Sequence, residues 1–238
     1  MTSSSSWKIL VVDDEQSILE SAQTALELAG HRVVTCDSGT EAVRIFQDTK
    51  PDVVILDWML PGKDGLEILQ ELVALANTPV IMASAKTEVE DVDRALDLGA
   101  DDYLKKPYGG KELNQKITVA MNLPKRTENT IVQIGPLTID ASAYEVTRGS
   151  KQILLTPLEF NLLLTIAEDP KHTFTREELL KKVWLHKNLN EEGDFKGKID
   201  TRLVNVHIQR LRSKIEENPD EPQIVTTVRG RGYKAGAY

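Results

Sequence analysis

Cysteine occurs once in the 238-residue chain, at Cys36, which excludes an intrachain disulfide and suits a reducing compartment. No apolar run approaches the roughly 18 residues of a membrane span. The serine-rich start, Thr2–Ser6, lacks the apolar core of an export signal. These absences point to a cytoplasmic protein with no membrane partner. Basic residues are scarce in the first half. Residues 1–122 hold 11 Lys+Arg against 21 Asp+Glu, net −10, whereas residues 123–238 hold 18 against 16, net +2. From Lys196 onward the balance is 9 against 5. The overall charge of −8 would repel nucleic acid, but the local distribution decides, and it gathers positive charge at the C-terminal end.

What the first half does have is a series of short aliphatic runs that end in polar residues. Val53-Val54-Ile55-Leu56 shows no polar alternation, as expected of a strand buried on both faces of a parallel sheet. It stops at Asp57, after which Pro61, Gly62 and Gly65 turn the chain into a loop. Lys8–Val12 is a second such run and ends in Asp13, Asp14 and Glu15. Helical periodicity over Gln16–Ala29, Thr40–Gln47, Leu66–Ala74, Glu88–Leu98 and Lys111–Met121 alternates with strands over His31–Thr35, Pro79–Ala83 and Asp102–Lys105. Five βα units of this length predict a doubly wound α/β domain with a five-stranded parallel sheet.

In such sheets ligands sit outside the carboxyl ends of the strands. Asp13, Asp14, Asp57, Ser84 and Lys106 all fall there. Three crowded carboxylates repel unless a cation neutralises them, and hard oxygen ligands select Mg²⁺. Asp57 then reads as a phosphoryl acceptor, with Lys106 opposite the metal and the Ser84 hydroxyl as a donor to a phosphoryl oxygen. An aspartate-based phosphatase is a rival reading, but it needs a second Asp two residues on, where Met59 stands.

VVDDE (11–15), ILDWMLPGKDG (55–65), MASA (82–85) and ADDYLKKPY (100–108) resemble the flavodoxin-like receiver domain of two-component response regulators. The resemblance implies phosphorylation of Asp57 by a sensor histidine kinase. It further implies direct Mg²⁺ ligation by Asp14, Asp57 and the Met59 carbonyl, with Asp13 acting through water, and a switch pair of Ser84 and Tyr103. The expected receiver spans 1–122 and is followed by a polar linker, 123–130.

Residues 131–155 alternate in short β-like pieces, consistent with a small antiparallel sheet. Thr156-Pro157-Leu158-Glu159 and Thr175-Arg176-Glu177-Glu178 both have the pattern of a capping box at a helix start. A long polar loop over 185–198 precedes a helix over about 200–217. There Val204, Ile208, Leu211 and Ile215 form one core stripe, and Arg202, Gln209, Arg210 and Ser213 point away from it. Asn205 and Arg212 flank the stripe on one side and His207 on the other. Arginine, asparagine and glutamine are the side chains that contact base edges, and arginine also holds phosphates. Gln223–Tyr233 has the pattern of a hairpin with Arg229 and Arg231 at its glycine-flanked tip. A basic hairpin beside a basic helix predicts an α+β winged helix-turn-helix domain over 131–238.

LTPLEF (155–160), TREELL (175–180), TRLVNVHIQRLRSKI (201–215) and TTVRGRGY (226–233) resemble the effector domain of the OmpR/PhoB class. The resemblance implies DNA contacts from Arg202, Asn205, His207, Arg210, Arg212, Thr227, Arg229 and Tyr233, with Asn205 replacing the more usual acidic residue. Gln209 and the wing-tip Arg231 join that set. The implied partners are double-stranded promoter DNA, usually as direct repeats, RNA polymerase through the long loop, and a second copy on activation. In this class receivers pair through the last strand and last two helices. Here Val92 and Asn122-Leu123 stand where basic residues are usual, which leaves Lys116 facing Asp101 or Asp102 as the main expected pair. A phosphorylation-independent architectural DNA binder is the remaining rival, disfavoured because Asp13, Asp14, Ser84 and Lys106 are all present.

Overall fold

The computed structural model describes residues 6–86, 88–121, 130–184 and 201–237. The chain divides into two compact units between Met121 and Asn122.

In the first unit, β1 (Lys8–Val12), β2 (Arg32–Cys36), β3 (Val53–Asp57), β4 (Val80–Ser84) and β5 (Asp102–Lys105) form a parallel sheet in the order β2-β1-β3-β4-β5. Five helices connect or follow these strands: α1 (Gln16–Leu28), α2 (Gly39–Thr49), α3 (Gly65–Leu75), α4 (Val89–Asp97) and α5 (Gly110–Ala120). The order turns back at β1, and the central strands are buried on both faces, which explains their unbroken aliphatic sequences. One core layer packs α1 and α5 against Ile9, Val11, Ile55 and Ile81.

Register sets what lies at the strand ends. Val12 pairs with Leu56, so Asp13 and Asp57, one residue further along each strand, emerge side by side. Met82 pairs with Tyr103, which puts Tyr103 on the same sheet face as Ser84, two residues beyond Met82. The loop after β3 closes tightly onto α3: the Gly65 N–H donates to the Trp58 carbonyl at 2.9 Å. A Cβ on Gly65 would lie 2.1 Å from the Asp57 carbonyl oxygen, so only glycine lets α3 start this close to the acceptor strand.

The second unit opens with an antiparallel sheet of β6 (Ile131–Ile134), β7 (Leu137–Asp140), β8 (Glu145–Arg148) and β9 (Lys151–Ile153) in sequential order. Helix α6 (Pro157–Glu168) follows, with the Thr156/Glu159 capping box formed in both directions. The short strand β10 (Phe174–Thr175) leads into α7 (Arg176–Val183), whose Thr175/Glu178 box is also complete. Helix α8 (Arg202–Ile215) precedes the hairpin of β11 (Val225–Val228) and β12 (Gly232–Ala235). The hairpin is joined by β10 in the order β10-β12-β11. Phe174 pairs with Tyr233 and Thr175 with Gly232, which brings the first residue of α7 beside the wing. A Cβ on Gly232 would stand 1.9 Å from the Phe174 carbonyl oxygen, so this pairing too depends on a glycine. The expected linker and long polar loop lie outside the described residues.

Candidate phosphoacceptor site and nucleic-acid interface

Asp13, Asp14 and Asp57 offer carboxylate oxygens that all lie within 4.8 Å of one another. Asp13 and Asp57 are buried at 2% and 4% exposure, and Asp14 is exposed at the mouth. The Lys106 Nζ bridges the two buried acids, 2.6 Å from Asp13 Oδ2 and 3.0 Å from Asp57 Oδ2. Glu15, not singled out in the sequence, stands 3.8 Å from the same ammonium, and its backbone N–H donates to Asp13 Oδ1 at 3.1 Å.

Burial pushes the Asp57 carboxyl above its ordinary range, as does the nearby Asp13 charge, while hydrogen bonds and charge from Lys106 and the Met59 N–H pull it back. Asp13 is raised for the same first reason, burial, and lowered by Lys106. Burial works against the Lys106 charge, but its bonds to Asp13 and Asp57 outweigh that and hold its pKa up. Asp13, Glu15 and Asp57 all face the one Lys106 ammonium, and Asp14 adds a fourth carboxylate to the cluster. The donor set of clustered hard oxygens, two carboxylates buried and one exposed, fits a divalent cation such as Mg²⁺.

Ser84 is buried, and the Lys86 N–H donates to its Oγ at 3.1 Å. Tyr103 is half-buried on the same sheet face, and its hydroxyl donates to the Lys86 carbonyl. The Lys86 main chain thus links Ser84 and Tyr103, bonding the one through its N–H and the other through its carbonyl. The Lys86 ammonium sits 4.5 Å from the centroid of the buried Trp58 ring. Met59 is 62% exposed on the loop after Asp57. Asp101 is buried and accepts the Val80 N–H at 3.0 Å. Asp102 is clasped by Lys116 of the same chain.

In the second unit, α8 exposes Asn205, Gln209 and Ser213 as a row at successive i, i+4 positions, with Arg202, Arg210 and Arg212 partly covered beside it. Arg229 and Arg231 are exposed at the wing tip, and Thr227 is exposed on β11. Arg212 ties helix to wing: its Nε donates to the Val225 carbonyl at 2.9 Å and its terminal nitrogen to Thr227 Oγ1 at 2.8 Å. Burial lowers its pKa.

Two expected DNA contacts are corrected. His207 has 0% exposure and meets the Trp184 ring edge-on at 5.4 Å. It belongs to the core because Leu203, His207 and Leu211 form a second buried row that widens the predicted stripe. Tyr233 is 5% exposed and works from beneath, its hydroxyl donating to Asn205 Oδ1 at 2.9 Å. The sequence reading missed Arg176, whose Nε donates to the same Asn205 oxygen at 2.6 Å and whose guanidinium lies 5.3 Å from the Tyr233 ring centroid. A cation at the first position of α7 opposes the helix dipole, and that was the available signal that another demand holds it there.

A parallel sheet with a lysine-bridged acid cluster at its strand ends, followed by a winged helix-turn-helix unit, defines a phosphorylation-controlled DNA-binding regulator. Residues 9–118 match the response regulator receiver domain family, and residues 150–235 match the family described as transcriptional regulatory protein, C terminal. The DNA-binding response regulator MtrA of Mycolicibacterium smegmatis is 42% identical over 229 residues, covering 96% of each chain. The probable transcriptional regulator ycf27 of Cyanophora paradoxa is 42% identical over 236 residues, covering 95% of each. A solved structure of a RitR variant shares the fold, with a TM-score of 0.63 at 24% identity over 96% of this chain and 98% of that one. The chain belongs to the OmpR/PhoB class of two-component response regulators. It is therefore a regulator of transcription rather than a conventional enzyme. No helix among the described residues is long and apolar enough to cross a membrane.

Proposed function

We propose that Asp57 is the phosphoryl acceptor, charged by a sensor histidine kinase in the cytoplasm, and that its phosphorylation promotes receiver pairing and promoter binding. The observation that carries this reading is the Lys106 ammonium held between Asp13 and Asp57. A bound Mg²⁺, held by Asp13, Asp14, Asp57 and the Met59 carbonyl, would supply charge neutralisation for an incoming phosphoryl group. Asp57 attacks phosphorus through a carboxylate oxygen while the bond to the donor breaks, forming an acyl phosphate. Lys106 offsets the charge that develops on the transferred oxygens. Ser84 supplies a hydroxyl donor to a phosphoryl oxygen, and its link to Tyr103 through the Lys86 main chain couples the pocket to the face carrying β5. Mg²⁺-dependent self-phosphorylation of Asp57 and hydrolysis of the resulting acyl phosphate are the only catalysis this reading assigns.

On the DNA side, the exposed row of α8 enters the major groove and the wing arginines Arg229 and Arg231 reach the adjacent minor groove. Arg202, Arg210 and Arg212 flank the row, and Thr227 lies beside Arg212. A pair of receivers on direct repeats and a contact with RNA polymerase complete the proposed assembly. Intact-mass measurement after treatment with acetyl phosphate and Mg²⁺ tests the acceptor. The parent should gain one phosphoryl group and Asp57→Asn none. An equal adduct on the variant would move the acceptor elsewhere.

A further inference from the structure

Asn205 stands in the most exposed row of α8, yet its side-chain oxygen is fully engaged inward. Arg176 Nε donates to Oδ1 at 2.6 Å and the Tyr233 hydroxyl donates at 2.9 Å. A guanidinium has no acceptor and stays protonated, so the Arg176 bond alone fixes which end of the amide is oxygen. Two donors use both lone pairs of Oδ1. The supporting cage is itself braced: Arg176 and Arg212 lie 5.3 and 5.5 Å from the Tyr233 ring centroid, and the β10–β12 pairing holds Arg176 beside Tyr233. What remains for a ligand is the amide nitrogen, with two N–H donors and no acceptor.

We propose that Asn205 is a donor-only specificity residue that reads a hydrogen-bond acceptor on a base edge, N7 or O6 of guanine. The inference rests on the reading that the exposed row of α8 faces the DNA bases. Free asparagine recognises adenine by accepting from N6 and donating to N7 at once. Asn205 cannot do so, because its oxygen is already taken. The other acceptor source in DNA is a phosphate. Phosphates are met by charged side chains, and here the cations Arg202, Arg210 and Arg212 lie beside the row while Asn205 and Gln209 form its neutral summit.

The test titrates the full-length protein on the duplex it selects from a random pool. Copies of that duplex carry 7-deazapurines, which lack N7, 2-aminopurine for guanine, which lacks O6, or single methylphosphonates. At one guanine, loss of an acceptor should weaken the parent about 3- to 10-fold and leave Asn205→Ala unaffected. Asn205→Asp keeps acceptors for Arg176 and Tyr233 but turns an oxygen outward. It should therefore move the preference at that position toward cytosine, whose N4 is a donor. Equal losses for parent and Asn205→Ala at every modified base would overturn the proposal, as would a preference for adenine through N6. Sensitivity confined to one methylphosphonate would assign Asn205 to the backbone instead. If Gln209→Ala and Arg210→Ala also leave the base profile unchanged, the underlying placement of α8 fails. If they shift it and Asn205→Ala does not, only the role of Asn205 fails.

Discussion

Lys116 Nζ holds both carboxylate oxygens of Asp102, at 2.7 and 2.9 Å, within one chain. The Asp102 side chain is almost fully covered and Lys116 partly so. Removing the lysine strands a buried carboxylate, which costs far more than breaking an exposed pair. Lys116→Met should destabilise residues 1–122 by about 3 kcal/mol in urea unfolding. A loss below about 0.5 kcal/mol, the level of an exposed pair, would mean that Asp102 is solvated or paired elsewhere. Any role of this lysine in receiver pairing must be measured against that stability loss.

Asp57 and Asp13 both have raised pKa values in the folded chain, first because of burial. A raised folded pKa gives a stability contribution that is complete below the unfolded value of 3.8 and declines as pH rises through the folded value. Without divalent cation, the receiver should therefore lose part of its stability between acid and neutral pH. Asp57→Asn removes one of the two titrations, so the variant should melt higher than the parent at pH 7 and show a flatter pH profile. Thermal melts in EDTA from pH 4 to 8 would reveal it. A variant less stable at pH 7 would mean that the Lys106 bridge outweighs the burial of Asp57.

Gly65→Ala places a methyl group against backbone rather than a flexible side chain, since its nearest neighbour is the Asp57 carbonyl oxygen at 2.1 Å. Something must shift, and the loop carrying Trp58 and Met59 is what adjoins it. The expected cost is about 2–3 kcal/mol, with slower labelling of Asp57 by acetyl phosphate. Parental stability and labelling together would contradict this close approach.

Arg210→Ala should weaken binding to the selected duplex by about 1–3 kcal/mol and relax one base position. Arg231→Ala, at the wing tip, should weaken all sequences more evenly and reduce the salt dependence by about one ion. Titrations at several salt concentrations separate the two. The same even loss for Arg210→Ala would place it on phosphate.

Much of the receiver could be read from the chain itself because parallel strands advertise themselves as aliphatic runs and their ends as abrupt polar stops. Asp13 and Asp57 share that signature, and register then makes them neighbours. Ser84 and Lys106 were legible by the same logic, whereas Tyr103, inside β5, was reached only through the resemblance to receiver domains. The capping boxes were legible because both partners lie within four residues. What escaped the sequence depends on packing between distant segments. His207 was assigned to a flank because a helical wheel gives direction but not the width of the buried arc. Arg176 joined the cluster around Asn205 and Tyr233 only through the pairing of β10 with β12. The orientation of Lys116 toward its own Asp102 is likewise a property of how α5 lies on β5, which no spacing encodes.

Arg212 fastens α8 to β11 through two hydrogen bonds, one to the main chain and one to Thr227. On the proposed placement, this makes the helix and the wing the two jaws of a fixed caliper. Its opening is set by the protein, so the duplex must supply the matching distance between a major groove and the next minor groove. Sites with equal base contacts but different groove width would then differ in the deformation energy each pays on binding. The regulator would rank its promoters by their shape as well as their letters.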